Sequence, residues 1–278
     1  MPRVAPPGGL SRLGVLVAAT ATILALAGAT VASTAVAGTE SHLLPDLVTL
    51  KVSQHDLFVE QRGRQLLLRL SNEIANTGRG PLEIYPGASS NNCDGDGNPN
   101  NDRDVYQRIF LDSNGDDAFH RAQDTQSLHH LFGCEQYHPA HHHWHVLDFS
   151  RYKLVRQKTG HTVASSTKIG FCIIDMDHAF AGRPGSPADR YYPAGSGDCS
   201  KDSIDGLSVG WADTYGYFLP GQMLNVTGLP RGRYCLVSTA DPDNLLRESN
   251  NSNNVRKTRI SLHPAKHAVK RLSGHCVS

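Results

Sequence analysis

The sequence predicts an all-β protein. Its apolar segments are short and alternate with polar residues, so the hydrophobic period is near two rather than the 3.6 of a helix. Turn-forming residues separate these segments, as in Asn76-Thr77-Gly78, Pro230-Arg231-Gly232 and Asp241-Pro242-Asp243. Of the 278 residues, 39% are hydrophobic and 19% are charged, which is ordinary for a globular protein. We therefore expect a folded domain built from sheets.

Short strands are predicted along the whole chain, at residues 46–50, 65–70, 108–111, 146–155, 168–174 and 233–238. Two stretches, LLLRLSNEIANTGRGPLEI and LPRGRYCLVSTADPDNLLRESNNSNNV, resemble strand pairs of an immunoglobulin-like β-sandwich. Asn, Asp and Gly predominate between residues 91 and 124, which predicts a long irregular loop. Its acidic motifs lack the spacing of an EF-hand, so a solvated loop is favoured over a calcium site.

The N-terminus has the pattern of an export signal. An apolar run at residues 13–27 follows two arginines and leads to an A-x-A motif at residues 35–37. A membrane anchor is the alternative, but the run is interrupted by polar residues and is short for a span of about 20 apolar residues. We predict a signal peptide over residues 1–37 and a single domain over residues 38–278. The mature protein is expected to be secreted, with no transmembrane segment after cleavage.

All six cysteines lie in the predicted mature part, where an extracellular environment favours disulfides. Six cysteines allow 15 pairings, and free buried thiols are the alternative. The whole chain has 27 Lys+Arg against 26 Asp+Glu, so it lacks the net positive charge with which proteins bind phosphate backbones. Nucleic acid is therefore excluded as an expected partner.

The strongest local signal is a run of histidines. Seven of the 15 histidines lie between residues 129 and 145, and His141, His143 and His145 alternate as H-x-H-x-H. The following residues alternate like a strand, and residues i, i+2 and i+4 of a strand share one face. Three imidazoles can then converge on a zinc, copper, iron or nickel ion and leave a coordination position open for catalysis. A solvent-facing histidine cluster is the alternative.

Three segments, in order along the chain, resemble the lysyl oxidase family. HHHWHVLDFSRYKL resembles its copper-binding region, TKIGFCIID the block with its cofactor lysine, and GLSVGWADTYGYFLPGQMLNVTGLPRGRYCL the block with its cofactor tyrosine. The resemblance covers roughly residues 134–255 and points to an exported, microbial-type member. In animal members a cysteine precedes the first ligand, where this chain has Ala140, so the disulfide pattern is expected to differ.

The resemblance implies a role for five residues. His141, His143 and His145 become ligands of copper(II), and Lys168 and Tyr215 become the precursors of a lysine tyrosylquinone cofactor. The implied domain is a lysyl-oxidase-like catalytic domain that oxidises primary amines, including peptidyl lysine, to aldehydes. O2 is the acceptor, and hydrogen peroxide and ammonia are released. Without the resemblance, Lys168 and Tyr215 would pass for an exposed lysine and a half-buried sandwich tyrosine.

The base that removes the substrate α-proton is left open, because Asp213 and Asp148 are equally typical of turns and structural carboxylates. The natural amine is also open between a lysine-bearing protein and a small amine. Two other functions fit parts of the pattern. One is a zinc lyase or hydrolase, since H-x-H-W resembles carbonic-anhydrase-like sites, with a distant histidine replacing His145. The other is a non-enzymatic exported metal-binding β-sandwich module.

Overall fold

The structure is a computed structural model that describes residues 41–87, 92–98, 100–139, 142–166 and 169–276. The predicted signal peptide and its cleavage site lie outside the described residues and remain predictions. Helical structure in the described part is limited to a single 3-10 turn at Pro264–Lys266. No helix among these residues is long and apolar enough to cross a membrane.

The described chain forms 17 strands: β1 (His42–Leu43), β2 (Leu47–Thr49), β3 (Leu57–Arg62), β4 (Gln65–Leu70), β5 (Asn72–Asn76), β6 (Leu82–Pro86), β7 (Asp102–Leu111), β8 (Ser127–His138), β9 (His143–Arg156), β10 (Thr162–Ser165), β11 (Ile169–Phe171), β12 (Asp205–Leu207), β13 (Ala212–Tyr215), β14 (Met223–Asn225), β15 (Gly232–Ala240), β16 (Val255–His263) and β17 (Ala268–Arg271). The all-β prediction is confirmed, and each of the six predicted segments contains or lies within a strand.

The described strands assemble into one large and two small antiparallel sheets. The large sheet has 11 strands, with β12-β6-β7-β8-β9-β15-β16-β17 in order, β1 beside β7, and β10 and β11 beside β9. The small sheets have the orders β13-β5-β2 and β14-β4-β3. Strand β9 is therefore the organising element, because it pairs with β8, β15, β10 and β11 along its 14 residues.

Two details differ from the sequence prediction. The stretch from Leu66 to Ile84 does not form a strand pair, because β4, β5 and β6 belong to three different sheets. The later stretch, residues 229–255, contains β15 but ends at the first residue of β16, the strand that pairs with β15. The region from 91 to 124 is not one long loop, since the ten-residue strand β7 runs through it. Local composition reports the polar turns at the ends of β7 but not the apolar face of the strand between them.

Side chains from all three sheets meet in one hydrophobic core. Leu68 of β4, Ile74 of β5, Leu236 of β15 and Ile260 of β16 are all buried in it. Each strand gives alternate residues to this core, which is the period of two seen in the sequence. The two small sheets are thereby fixed against the large sheet, and they bring β13 close to the start of β9.

One buried carboxyl makes stability depend on pH. Burial of Asp205 raises its pKa from 3.8 to about 8, with Glu135 adding to the shift while Ser203 and Arg103 oppose it. The folded state therefore binds a proton more tightly than the unfolded chain. Stability falls as pH rises between these two values, and it stays lower above about 8.

Asp205→Asn should therefore stabilise the protein above pH 8 and have little effect near pH 4. One pKa unit corresponds to about 1.4 kcal/mol, so the whole shift sets an upper limit of about 6 kcal/mol, and we expect an increase of a few kcal/mol at the higher pH. Denaturant unfolding at both pH values measures it. Asp202→Asn, at an exposed neighbouring position, serves as the control. A gain for Asp205→Asn that is the same at both pH values would rule out this origin.

Candidate functional site

The histidine-rich segment forms the β8–β9 hairpin. His138 ends β8 and lies directly opposite His143, which begins β9. The His142 amide donates to the His138 carbonyl at 2.9 Å, and His142 has a positive φ of 59°. His142, inside the H-x-H-x-H motif, is therefore not part of the strand, which begins at His143. His141 lies outside the described residues, and its role as a ligand remains a prediction.

His143 and His145 do share a face, as two residues of one strand separated by a single residue must. Their Nε2 atoms are 2.9 Å apart. Two metal–nitrogen bonds of about 2.0 Å at a right angle would separate their nitrogens by about 2.8 Å, so this spacing suits neighbouring ligands of one ion. Imidazole nitrogens are also suitable donors for copper(II). The pair therefore fits a copper ion.

A third histidine near this pair was missed from the sequence. The ring of His138 lies 5.2 Å from that of His145, measured between centroids, and His138 lines the same cleft. Its approach depends on the hairpin register, which pairs His138 with His143 across the two strands. The only sequence signal was the general histidine density of the segment, since the length and shape of the turn were unknown.

Tyr215 enters the cleft from β13. Its hydroxyl donates to the Cys172 carbonyl oxygen at 3.0 Å and accepts from the Cys172 amide. Its ring packs on Phe171, with centroids 3.7 Å apart. Burial raises the pKa of the Tyr215 phenol well above its usual value, and the neighbouring Asp213 raises it further. The phenol is thus held neutral and in one orientation, in the cleft that also contains His143 and His145.

Asp213 lies two residues before Tyr215 on β13, so both side chains are on one face. It is only 2% exposed, and neither carboxyl oxygen has a hydrogen-bond partner of normal geometry among the described residues. Burial raises its pKa well above 3.8, and the charges of Asp175 and Asp177 add to this. The other candidate base, Asp148, is not among the residues that line the cleft. The structure thus favours Asp213 over Asp148 as the candidate base, a choice that the sequence alone did not allow.

The cleft has a volume of about 690 Å³, and its lining includes histidines, a tyrosine, carboxyls and apolar side chains. Histidines, Tyr215 and Asp213 form one part, and an apolar wall contains Met176 and Phe218, which are 50% and 72% exposed. Asp198 is a second carboxylate in the lining and pairs with Arg190 at 2.5 Å. The described lining residues include no Lys or Arg. A cleft with this lining favours a cationic ligand that has an apolar stem.

Lys168 lies outside the described residues, so its proximity to Tyr215 remains a prediction. The strand that follows it, β11, pairs with β9, and Phe171 lies opposite Val146. Gly170 permits the close approach of the two strands, because a Cβ there would lie 3.3 Å from the Cβ of His145 and 3.2 Å from the Val146 carbonyl oxygen. Gly170, two residues after Lys168 in the sequence, therefore belongs to the wall of the cleft.

Comparison of the sequence with models of protein families identifies the family to which this chain belongs. The family model described as Lysyl oxidase matches residues 126–271, which is just over half of the chain. This chain belongs to the lysyl oxidase family. The matched segment contains all the described residues discussed above that line the cleft, from the histidine hairpin to Tyr215.

Individual members of the lysyl oxidase family are moderately similar. Human protein-lysine 6-oxidase is 32% identical over 123 residues, covering 43% of this chain and 26% of the human protein. The pig protein of the same name is 31% identical over 128 residues, 45% of this chain and 46% of the pig protein. Human lysyl oxidase homolog 1 is 32% identical over 126 residues, 45% of this chain and 20% of that protein. The chain thus matches less than half the length of each relative.

Disulfides reinforce this lysyl oxidase site. The three described pairs are Cys93–Cys134, Cys172–Cys199 and Cys235–Cys276. The second pair joins two parts of the site, because Cys172 holds the Tyr215 hydroxyl and the Cys199 carbonyl accepts from the Trp144 amide at 2.9 Å. Trp144 separates the two histidines of β9.

Removing this disulfide should therefore impair both stability and the site. The double variant Cys172→Ser/Cys199→Ser is expected to lose roughly 3–4 kcal/mol of unfolding free energy, as for other native disulfides closing loops of this size. Any activity that depends on Tyr215 should also fall in protein that remains folded. The matched control, Cys93→Ser/Cys134→Ser, should lose similar stability but retain activity. Equal activity losses in the two variants would contradict a specific link between Cys172–Cys199 and Tyr215.

Proposed function

We propose that this chain is an exported copper- and quinone-dependent amine oxidase. It oxidises primary amines to aldehydes with O2 and water, and releases hydrogen peroxide and ammonia. The observation that carries the proposal is the meeting of His143, His145 and Tyr215 in one cleft. These residues come from strands of different sheets, and the core does not require them to meet there. The membership of the lysyl oxidase family supports the same chemistry.

Two groups absent from the structure complete this site. His143 and His145, with the predicted ligand His141, would hold copper(II), which supplies redox chemistry with O2. Lys168 and Tyr215 would combine into lysine tyrosylquinone, which supplies an electrophilic carbonyl and accepts two electrons from the amine.

The chain's own residues select and orient the substrate. The described lining of the cleft contains two carboxyls and no Lys or Arg, so no cationic side chain in it opposes the entry of an alkyl ammonium ion. The apolar wall around Met176 and Phe218 packs against the aliphatic stem. Only the neutral amine is nucleophilic, so a proton must leave the ammonium group before reaction.

Asp213 is the residue that moves protons in this account. Its carboxyl has no hydrogen-bond partner of normal geometry among the described residues and lies on the same face of β13 as Tyr215. A base works best when its pKa is close to the working pH, and burial moves the pKa of Asp213 upward in that direction. We assign to its Oδ atoms the removal of the substrate α-proton.

The substrate class follows from the cleft and from the relatives. Two curated relatives are named protein-lysine 6-oxidase, and a lysine side chain has the ammonium group and four-carbon stem that this lining suits. Phe218 and Met176 are exposed beside the cleft, where they can contact residues that flank the lysine. Peptidyl lysine is therefore the proposed substrate, and a small diamine is the alternative.

The other functions gain no support from the structure. The zinc hypothesis replaces His145 by a distant histidine, yet His145 lies beside His143. A metal-scavenging module needs neither a Tyr215 hydroxyl held by the backbone of Cys172 nor a buried carboxyl beside it.

Amine-dependent peroxide release tests the proposal. Secreted, copper-loaded protein in air is supplied with a lysine-bearing peptide, a small diamine and an acetylated peptide that lacks a free amine. We expect peroxide and aldehyde in equal amounts from amine substrates and none from the acetylated control. Copper-containing protein that consumes none of these amines would refute the proposed activity. N-terminal sequencing of the same sample should begin at residue 38 if the export proposal is correct.

A further inference from the structure

Positive charge is concentrated at the C-terminal end of the chain. The last 30 residues contain six Lys or Arg and no Asp or Glu. Because the whole chain is nearly neutral, with 27 Lys+Arg and 26 Asp+Glu, acidic residues are in excess elsewhere. The net charge of the chain therefore conceals a strongly basic region.

Arg259 of this region lines a cleft together with four other cationic side chains from earlier in the chain. It lies between the β9–β10 turn and the start of β15, and its volume is about 700 Å³. No acidic residue is among its described lining residues. We name it the arginine cleft, and its cations are Arg156, Lys158, Arg231, Arg233 and Arg259.

A second basic cleft lies at the other end of β16. It has a volume of about 660 Å³, and its lining contains Lys51, Arg256, Lys257 and His275. Its described lining also lacks any Asp or Glu. We name it the terminal cleft. Neither cleft shares a described lining residue with the candidate active site.

The two clefts are joined along one face of the large sheet. Lys257 of the terminal cleft and Arg259 of the arginine cleft are two residues apart on β16, so their side chains share a face about 7 Å apart. The next residue on that face, Ser261, pairs with Arg233 on one side and with Lys270 on the other. The cations therefore form a continuous basic surface, which comprises both clefts and Lys270.

This surface is not neutralised within the described chain. The ion pairs seen there involve other cations, and none includes a lysine or arginine of the basic surface. Arg259 is oriented by hydrogen bonds to Gln157 at 3.2 Å and to the Ser273 carbonyl at 3.1 Å, which are neutral groups. Clustered cations without carboxylate partners produce a strong local positive potential.

We propose that the basic surface binds an extended, linear polyanion. Two clefts joined along a strand suit a chain of repeated sulfate or phosphate groups better than a single small anion. Nucleic acid is less suitable, because Tyr234 is buried and no exposed aromatic ring lines either cleft for base stacking. A membrane is also less suitable, since Val255 is the only large apolar side chain in the two linings that is strongly exposed. Such binding would hold the protein on an anionic polymer through a surface separate from the candidate active site.

Binding to heparin and to polyphosphate tests this proposal, because they present sulfate and phosphate groups on a linear chain. The full secreted protein is titrated with each polymer over a range of salt concentrations. The test variant is Arg231→Gln/Arg233→Gln/Lys257→Gln, which removes three exposed cations of the basic surface. The control is Arg62→Gln/Arg64→Gln/Arg183→Gln, which makes the same change in net charge at exposed positions elsewhere.

We expect the wild type to bind at least one polymer and the test variant to bind it at least about tenfold more weakly, with a smaller salt dependence. The affinity of the control variant should stay within about twofold of the wild type, because its lost cations lie outside the basic surface. That result would show that position, and not net charge alone, determines binding. Thermal melting and amine oxidation should be unchanged in both variants, which separates this proposal from the proposed enzyme function. Equal losses in the two variants, no binding by folded wild type, or binding only to vesicles of anionic phospholipid would overturn the proposal.

Discussion

Replacing Tyr215 with Phe is expected to abolish amine oxidation, with a fall on the order of 10³-fold or more, the scale of losing a residue that forms the reactive group. The phenol oxygen is required for a quinone, and phenylalanine cannot supply it. The folded state should lose on the order of 1–3 kcal/mol and remain folded, because the variant loses only the two hydrogen bonds to the Cys172 backbone. Peroxide release measures the loss of amine oxidation. Reaction of the protein with phenylhydrazine, which traps quinones, measures the loss of the quinone.

Tyr217→Phe is the matched control for this prediction. Tyr217 is two residues away on the same segment, and its ring packs against Phe58 and Phe218 without a described hydrogen bond from its hydroxyl. This variant should keep both activity and the phenylhydrazine reaction. Retention of activity in Tyr215→Phe would show that Tyr215 does not form the cofactor.

Asp213→Asn is the second large effect that we expect. Removing a general base lowers a rate by about 10²–10⁴-fold, and asparagine has nearly the same shape but cannot accept the proton. Rates should be divided by the quinone content from phenylhydrazine titration, so that cofactor formation and catalysis are separated. The kinetic isotope effect with an α-deuterated amine should rise, because proton removal becomes the slowest step. The change should appear in kcat more than in KM.

The control for this variant is Asp177→Asn, because Asp177 is an exposed carboxylate that raises the pKa of Asp213 without lining the cleft. Its effect on the rate should be several-fold at most. Stability should change little in Asp213→Asn, since the asparagine Oδ1 can still accept from the backbone amides of Ile174 and Thr214 that face this carboxyl. A rate per quinone close to that of the wild type would show that Asp213 is not the base, and Asp148 would then be the remaining candidate.

Local periodicity predicted much of this fold. The alternation in residues 65–70 and 233–238 became β4 and β15, because a period of two reports which face of a strand is buried. It did not predict sheet membership. Strands β4 and β5 are separated by one residue yet join different sheets, and their partners, β14 and β13, lie far along the chain. Such pairings depend on long-range packing, which a single sequence does not specify.

The candidate site was predictable to a different degree for each residue. His143 and His145 followed from strand geometry, whereas Tyr215 was found only through the family resemblance. His138 was missed because its position depends on the hairpin register. Asp213 was one of two equivalent candidates until its burial and lack of partners distinguished it. Burial and register are tertiary properties, so they appear only when the sheets are assembled.

The most direct test of the account is peptide mass spectrometry of the secreted protein, produced with copper and air and digested after disulfide reduction. The central claim is that Lys168 and Tyr215 form one covalent cofactor beside the histidines. We predict a cross-linked peptide pair that contains both residues, which is absent when the protein is produced without copper. Recovery of the Lys168 and Tyr215 peptides separately, from protein shown to contain copper, would contradict the amine oxidase mechanism.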